Sequence, residues 1–140
     1  MPTQRFPGVY ENLARIASFV RQAAEDAGLE PFDIYSVETA VDEACSNIIE
    51  HGYKGEGVGD IECTTQITEK GLTVILRDMG RPFHPKKVPK PKLDAPIEKR
   101  ANHGLGLYFM YQLMDEVHFE YSERTGNTLT LVKLKEKKAG

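Results

Sequence analysis

The sequence predicts an α+β fold, a two-layer α/β sandwich in which helices cover one face of a mixed, mostly antiparallel sheet. Three observations lead to this prediction. Apolar residues recur at helical spacing in the first third of the chain, strand-like alternation follows between 61 and 76, and the alternating segments come as hairpins with one polar face. Hairpins make neighbouring strands antiparallel, and a sheet with one polar face needs cover only on the other.

Length and composition predict one domain over residues 1–140. The 140 residues are 40% hydrophobic and 28% charged, which is ordinary for a globular domain. A net charge of -3 gives no basic surface for nucleic acid. The first residues lack the pattern of a signal peptide, and no apolar run is long enough to span a bilayer, so we expect a cytoplasmic protein without direct nucleic-acid or membrane contacts.

Two helices are predicted first, followed by a hairpin. The first helix covers 10–27 and ends at Gly28, and Asp33 is expected to cap a second helix that runs to about His51. Alternation over 61–67 and 72–76 predicts two strands joined by a short turn.

The segment 81–102 differs in kind from its surroundings. It holds five of the eight prolines and is rich in lysine and arginine, so we interpret it as a lid over a bound ligand. A short buried helix, HGLGLYFMYQLM, comes after it. Two further strands, VHFEY and TLTLVKL, then complete the predicted sheet.

The second helix aligns three polar side chains. Residues four apart lie on successive turns of nearly one helix face, and Glu43, Asn47 and His51 have this spacing. They border the predicted apolar stripe Val37, Val41, Ala44 and Ile48. The row is typical of a ligand site at the edge of the core, and a partly exposed polar border is the other interpretation.

Asp78 ends the second alternating segment on its core-facing side. A buried carboxylate needs a donor, and the exocyclic amine of adenine would be one, with Gly80 letting the backbone approach the ring. A turn-capping aspartate beside Gly80 is the other interpretation. Further on, Gly104, Leu105 and Gly106 open a helix whose bare amides would suit a phosphate, although a tight loop has the same pattern.

These motifs in this order resemble one family. EACSNIIEHGY, DMGRPF, a long lid, HGLGL and GNTLTL resemble the nucleotide-binding boxes of the Bergerat-fold (GHKL) ATPase superfamily, which includes DNA gyrase and the histidine kinases. Within it, the first motif is most similar to the anti-sigma-factor serine kinases of bacterial partner-switching systems. The resemblance extends over essentially the whole chain.

The resemblance implies a role for each motif. Glu43 would be the general base that accepts the proton of a substrate serine, Asn47 would hold Mg²⁺, and His51 would lie near it. Asp78 and Gly80 would form the adenine pocket. The phosphates would lie against Gly104, Leu105 and Gly106. Family members often have threonine after the last glycine; here Asn127 and then Thr128 follow Gly126, and either could complete the adenine contacts.

The implied function is an ATP-dependent protein serine kinase with Mg²⁺ as cofactor. It would phosphorylate an anti-sigma-factor antagonist and bind a sigma factor, and Arg15 resembles a first-helix arginine that contacts these partners. Since relatives commonly dimerise, a homodimer is a further expectation. Two alternatives remain: a non-catalytic module that binds nucleotide and sequesters a partner, and the ATP-binding domain of a histidine kinase system.

Overall fold

The computed structural model describes residues 1–82 and 110–135. A 3₁₀ turn, Tyr10–Asn12, precedes the first helix, and a π-helical turn, Ile48–Gly52, continues the second. The helices are α1 (Leu13–Asp26) and α2 (Pro31–Asn47). The strands are β1 (Thr3–Pro7), β2 (Asp60–Thr68), β3 (Gly71–Asp78), β4 (Glu116–Ser122) and β5 (Gly126–Leu134).

The five strands form one sheet in the order β1-β2-β3-β5-β4. Every pairing between these strands is antiparallel. Both helices bury their apolar residues in a core with the inward-facing side chains of the sheet. The predicted α+β class with helices on one sheet face is therefore confirmed.

The alternation in β2, β3 and β5 sets which face is buried. On the core side, the apolar side chains are at most 7% exposed: Ile61, Cys63, Leu72, Val74, Leu76, Leu129 and Leu131. The side chains between them point to the other face, as a pleated strand requires. None of the helices in residues 1–82 and 110–135 is long and apolar enough to cross a bilayer.

Strand β1 has no counterpart in the sequence prediction. It is five residues long and pairs along the edge of β2, where the proline at its end disrupts no further ladder. Phe6 is its one buried side chain at 2% exposure, and its ring meets Phe19 of α1 edge to face at 6.1 Å. One inward side chain is too little alternation to identify a strand from sequence.

The predicted capping role of Asp33 is wrong. Helix α2 begins at Pro31, whose restricted φ suits the first helical position, and Asp33 lies in the first turn without a capping bond. Its carboxylate lies 3.7 Å from Lys133 Nζ of β5, and both side chains are almost buried. The Asp33 carboxylate therefore forms a long-range ion pair with Lys133 instead of capping the helix as the local pattern predicts.

Candidate active site

Helix α2 carries Glu43 and Asn47 one turn apart. Its buried face includes Val37, Val41 and Ala44, which are at most 3% exposed. Both polar residues are partly buried beside this face, and a separation of four residues advances the helix by about one turn. A carboxylate and a carboxamide therefore occupy successive levels at the border of the core.

Glu43 has a raised pKa. Burial is the main cause, because it removes water from the charged form, and the like charge of Asp42 adds to it. A carboxylate with a raised pKa holds a proton more firmly than an ordinary glutamate, which makes it the stronger base. Glu43 is therefore suited to accept a proton from a hydroxyl group.

Asn47 has an unsatisfied amide. Its Nδ2 is buried and has no hydrogen-bond partner among the residues that the structure describes. A buried polar group without a partner costs about 1–3 kcal/mol, so such a group in a native fold suggests a ligand. A half-turn about χ2 exchanges Nδ2 with Oδ1, and an amide oxygen is the kind of ligand that Mg²⁺ takes. The residue therefore fits the predicted metal ligand.

The π-helical turn changes the phase of the chain after Asn47. Tyr53 N–H donates to the Ile48 carbonyl oxygen at 2.8 Å, five residues back instead of four. The extra residue rotates the side chains after it around the helix axis, and Ile49 is 0% exposed in the core. Ile48, predicted as part of the apolar stripe, is partly buried and packs against the same core.

His51 lies within the π-helical turn. Its side chain is 47% exposed, and Nε2 lies 4.0 Å from the carboxylate of Glu50. The predicted position of His51 near the Mg²⁺ ion stays a prediction.

Asp78 is the last residue of β3 and is 7% exposed. Its Oδ1 accepts hydrogen bonds from the backbone N–H of Gly80 at 2.9 Å and from Asn127 Nδ2 at 3.1 Å. Burial raises the pKa of Asp78, and these two bonds oppose the rise. Both bonds end on Oδ1, so Oδ2 is the oxygen that the described residues leave for a donor from a ligand.

The backbone around Asp78 packs too closely for side chains. A Cβ on Gly80 would lie 2.6 Å from the carbonyl carbon of Gly52, and Arg81 N–H donates to the Gly52 oxygen at 2.9 Å. Gly126 has a φ of 74°, and a Cβ there would lie 2.3 Å from the Asp78 carbonyl oxygen. Both positions require glycine, and through them the π-helical turn, β3 and β5 meet at Asp78.

Asn127, and not Thr128, lies beside Asp78. Asn127 and Asp78 are register partners in β5 and β3. Asn127 Nδ2 also donates to the carbonyl oxygens of Gly80 and Arg81, at 3.3 and 2.8 Å. Successive strand residues face opposite sides of a sheet, so Thr128 lies on the face away from Asp78. Of the two candidates, only Asn127 is placed to act at this carboxylate.

The predicted phosphate loop is not among the described residues. Gly104, Leu105 and Gly106 lie outside residues 1–82 and 110–135, and so does the predicted lid, 81–102, beyond Arg81 and Pro82. The phosphate-binding role of this loop therefore stays a prediction.

Arg15 lies on the exposed side of α1. It lines a groove of about 470 Å³ between this helix and the edge strand β1, together with Gln4, Phe6, Ala14, Ser18 and Phe19. The sequence suggests the arginine but not the groove, because β1 is not predicted.

Three residues around Asp78 receive no contact with it from sequence reasoning, namely Gly52, Tyr53 and Gly126. Gly52 and Tyr53 stand directly after His51 in the quoted motif, and this succession is the signal by which they could have been found. Their contacts with β3 are long-range and have no local pattern.

The antiparallel sheet, the helix with its carboxylate and unsatisfied amide, and the buried aspartate at a strand end fit a nucleotide-binding ATPase domain. Residues 6–133 match the family described as histidine kinase-like ATPase domain. This match confirms the predicted superfamily and, with it, ATP binding.

The similar proteins define the family more narrowly. Serine-protein kinase RsbW of Bacillus thuringiensis (strain Al Hakam) is 32% identical over 133 residues, which cover 92% of this chain and 81% of that protein. RsbW of Bacillus mycoides (strain KBAB4) is 31% identical with the same coverage. The chain belongs to the RsbW serine-protein kinase family, so the predicted enzyme class, a protein serine kinase, is confirmed.

A solved structure shares the fold. The RsbU and RsbW domains of Rv1364c from Mycobacterium tuberculosis align with a TM-score of 0.62 at 16% identity. The alignment covers 98% of this chain and 34% of that one. The likeness supports the architecture described above.

Proposed function

We propose that this kinase uses Mg-ATP to phosphorylate a serine of an anti-sigma-factor antagonist and also binds a sigma factor, so that phosphorylation decides which partner it holds. The observation that supports this most is the pair on α2. Glu43, with its raised pKa, and Asn47, with its unsatisfied amide, lie one helical turn apart beside the core. Enzymes that transfer phosphoryl groups recurrently place a residue that orients the nucleophile beside metal ions at the phosphates.

The proposed chemical step begins at Glu43. Its carboxylate accepts the proton of the substrate serine hydroxyl as the serine oxygen bonds to the γ-phosphorus. The bond from that phosphorus to the β,γ-bridging oxygen breaks, and ADP leaves. Partial burial of Glu43 supports the step, because a base with less water around it retains its affinity for the proton.

Asn47 would hold the magnesium ion through its amide oxygen. When bound, Mg²⁺ neutralises charge on the phosphates. The contribution of α2 is to place this ligand one turn from Glu43, so that the base and the phosphates share one side of the helix.

Asp78 would recognise the adenine. Its Oδ2 accepts from the exocyclic amine while Oδ1 stays bonded to Gly80 and Asn127. In this arrangement Asn127 orients the carboxylate, and the close packing of Gly80 on Gly52 leaves the backbone beside the base free of side chains. The pocket therefore needs no rearrangement of Asp78 on binding.

The test is transfer of labelled phosphate from ATP to a candidate antagonist protein of the native host, with and without Mg²⁺. Phosphoserine on the antagonist, formed only with the metal, is the expected result. Tight ATP binding without transfer to any native partner would favour the sequestering module instead.

Removing the charge of Arg15 is expected to weaken partner binding. Arg15→Ala should lower affinity for an antagonist or sigma factor about tenfold, as arginines at the centre of interfaces often do. ATP affinity should be unchanged, since Arg15 lines the groove at β1 and is not part of the α2–β3 site. Surface plasmon resonance with the purified partners measures this.

Arg124→Ala is the matched control, because Arg124 is also exposed but lies in the β4–β5 turn. Equal loss in both variants would mean that only general charge matters. No loss in Arg15→Ala would remove this residue from the interface.

The rate of transfer should fall as the pH is lowered through the raised pKa of Glu43. The raised pKa of Glu43 lies above the ordinary 4.5, and the protonated acid cannot act as a base. Activity is therefore complete above the folded-state pKa and lost as pH falls through it. On stability the sign is opposite: the folded chain binds this proton more tightly, so the group's contribution declines as pH rises from 4.5 through the folded value.

A pH profile of kcat/KM for antagonist phosphorylation measures this loss of activity on the acid side, the acid limb of the profile. Asp42→Asn should move it to lower pH, because the variant removes the like charge that adds to the shift and leaves the burial of Glu43 intact. An acid limb at the same pH in both proteins would show that another group controls it.

A further inference from the structure

The hydroxyl group of Tyr53 joins two strands. Its Oη donates to the carbonyl oxygen of Asp60 at the start of β2, at 2.6 Å, and accepts from the backbone N–H of Met79 at 2.9 Å. The ring lies against Gly59, where an added Cβ would stand 2.4 Å from it. Burial raises the pKa of Tyr53, so the hydroxyl keeps the proton that it donates.

The packing of the Met79 side chain does little to fix the backbone at this residue. Its side chain is 63% exposed, so it has little packing to fix the backbone between Asp78 and Gly80. The hydrogen bond from Met79 N–H to Tyr53 supplies that restraint from one side. Asn127 restrains the same turn from the other side, because its Nδ2 donates to Asp78 Oδ1 and to the carbonyl oxygens of Gly80 and Arg81.

The position of Tyr53 is set by the end of helix α2, the helix that carries Glu43. Its N–H closes the π-helical turn on Ile48, directly after Asn47. In the same stretch the Gly52 carbonyl oxygen accepts from Arg81 N–H. The short segment 48–53 thus connects the end of α2 to the turn after β3 through two hydrogen bonds. The Gly52 carbonyl oxygen accepts one from Arg81 N–H, and the Tyr53 hydroxyl accepts the other from Met79 N–H.

We propose that Tyr53 is a positioning residue that aligns the adenine-recognising turn, Asp78–Gly80, with the Glu43–Asn47 side of the nucleotide site. The inference rests on the proposed function, which assigns the adenine contact to Asp78. Without the hydroxyl, Met79 N–H loses its partner and the turn gains freedom next to the acceptor carboxylate. The affinity for the adenine ring should therefore fall, whereas the affinity for the phosphates should not change.

The test is Tyr53→Phe, which keeps the ring against Gly59 and removes only the hydroxyl. Calorimetry with Mg-ADP, Mg-GDP and inorganic tripolyphosphate separates base from phosphate binding without turnover. Loss of the hydrogen bond from Met79 N–H to Tyr53 should weaken Mg-ADP binding about tenfold. It should also reduce the ratio of ADP affinity to GDP affinity and leave tripolyphosphate binding unchanged. Tyr35→Phe is the matched control, since Tyr35 lies on α2 with its side chain exposed.

Hydrogen exchange gives a second measurement that does not depend on affinity. The Met79 amide should exchange faster in Tyr53→Phe than in the parent, while amides in the middle of β3 keep their protection. Unchanged Mg-ADP binding, or equal weakening of Mg-ADP and tripolyphosphate, would overturn the positioning role. A parent protein that binds no adenine nucleotide would overturn the proposed function itself, and the role of Tyr53 with it.

Discussion

Glu43→Ala is expected to bind ATP as the parent does and yet to phosphorylate serine about 10² to 10⁴ times more slowly, the usual cost of losing a general base. The base acts on the substrate hydroxyl and makes no contact with adenine in the proposed arrangement. The side chain is only partly buried, so its removal should leave the fold intact. Single-turnover transfer from labelled ATP, with nucleotide binding followed by fluorescence, measures both quantities.

Two further variants make this result specific. Asn47→Ala removes the proposed metal ligand, so it should weaken Mg²⁺-dependent ATP binding and transfer together. Glu25→Ala, at an exposed position of α1, should change neither. Transfer at the parental rate in Glu43→Ala would show that Glu43 is not the base.

Asp78→Asn is expected to lower affinity for ATP about thirtyfold, or roughly 2 kcal/mol for a charge-assisted hydrogen bond. The structure explains why the variant should still fold. Its one amide oxygen can keep the bonds from Gly80 and Asn127, which both end on Oδ1. The new Nδ2 then replaces Oδ2 and faces the adenine amine donor to donor. Titration calorimetry with ATP gives the affinity.

Asp26→Asn makes the same chemical change at the exposed end of α1 and serves as the control. The two variants should melt within a few degrees of each other, because burial already raises the pKa of Asp78 and its charge is costly inside the fold. Unchanged ATP affinity in folded Asp78→Asn protein would remove Asp78 from the adenine site.

Local pattern was enough to determine most of the sheet and both helices. Period-two alternation identified β2 and β3, and helical spacing identified α1 and α2 to within a few residues. The same spacing placed Glu43 and Asn47 on one side of α2, and alternation placed Asp78 on the core side. These features follow from the sequence alone because each depends on residues that are near neighbours along the chain.

Other features depend on partners far apart in the sequence and follow only from the packed fold. Strand β1 forms because it pairs with β2. Asp33 forms an ion pair with Lys133 of β5 and does not cap α2. The π-helical turn brings Tyr53 within hydrogen-bonding distance of Met79.

The choice between Asn127 and Thr128 depends on the register of β5 on β3. A shift of one residue would exchange the faces of these two side chains, and no local preference of either residue type sets that register. It is set by burial of the alternating apolar side chains of both strands against the helices, an energy that exists only once the whole chain has packed.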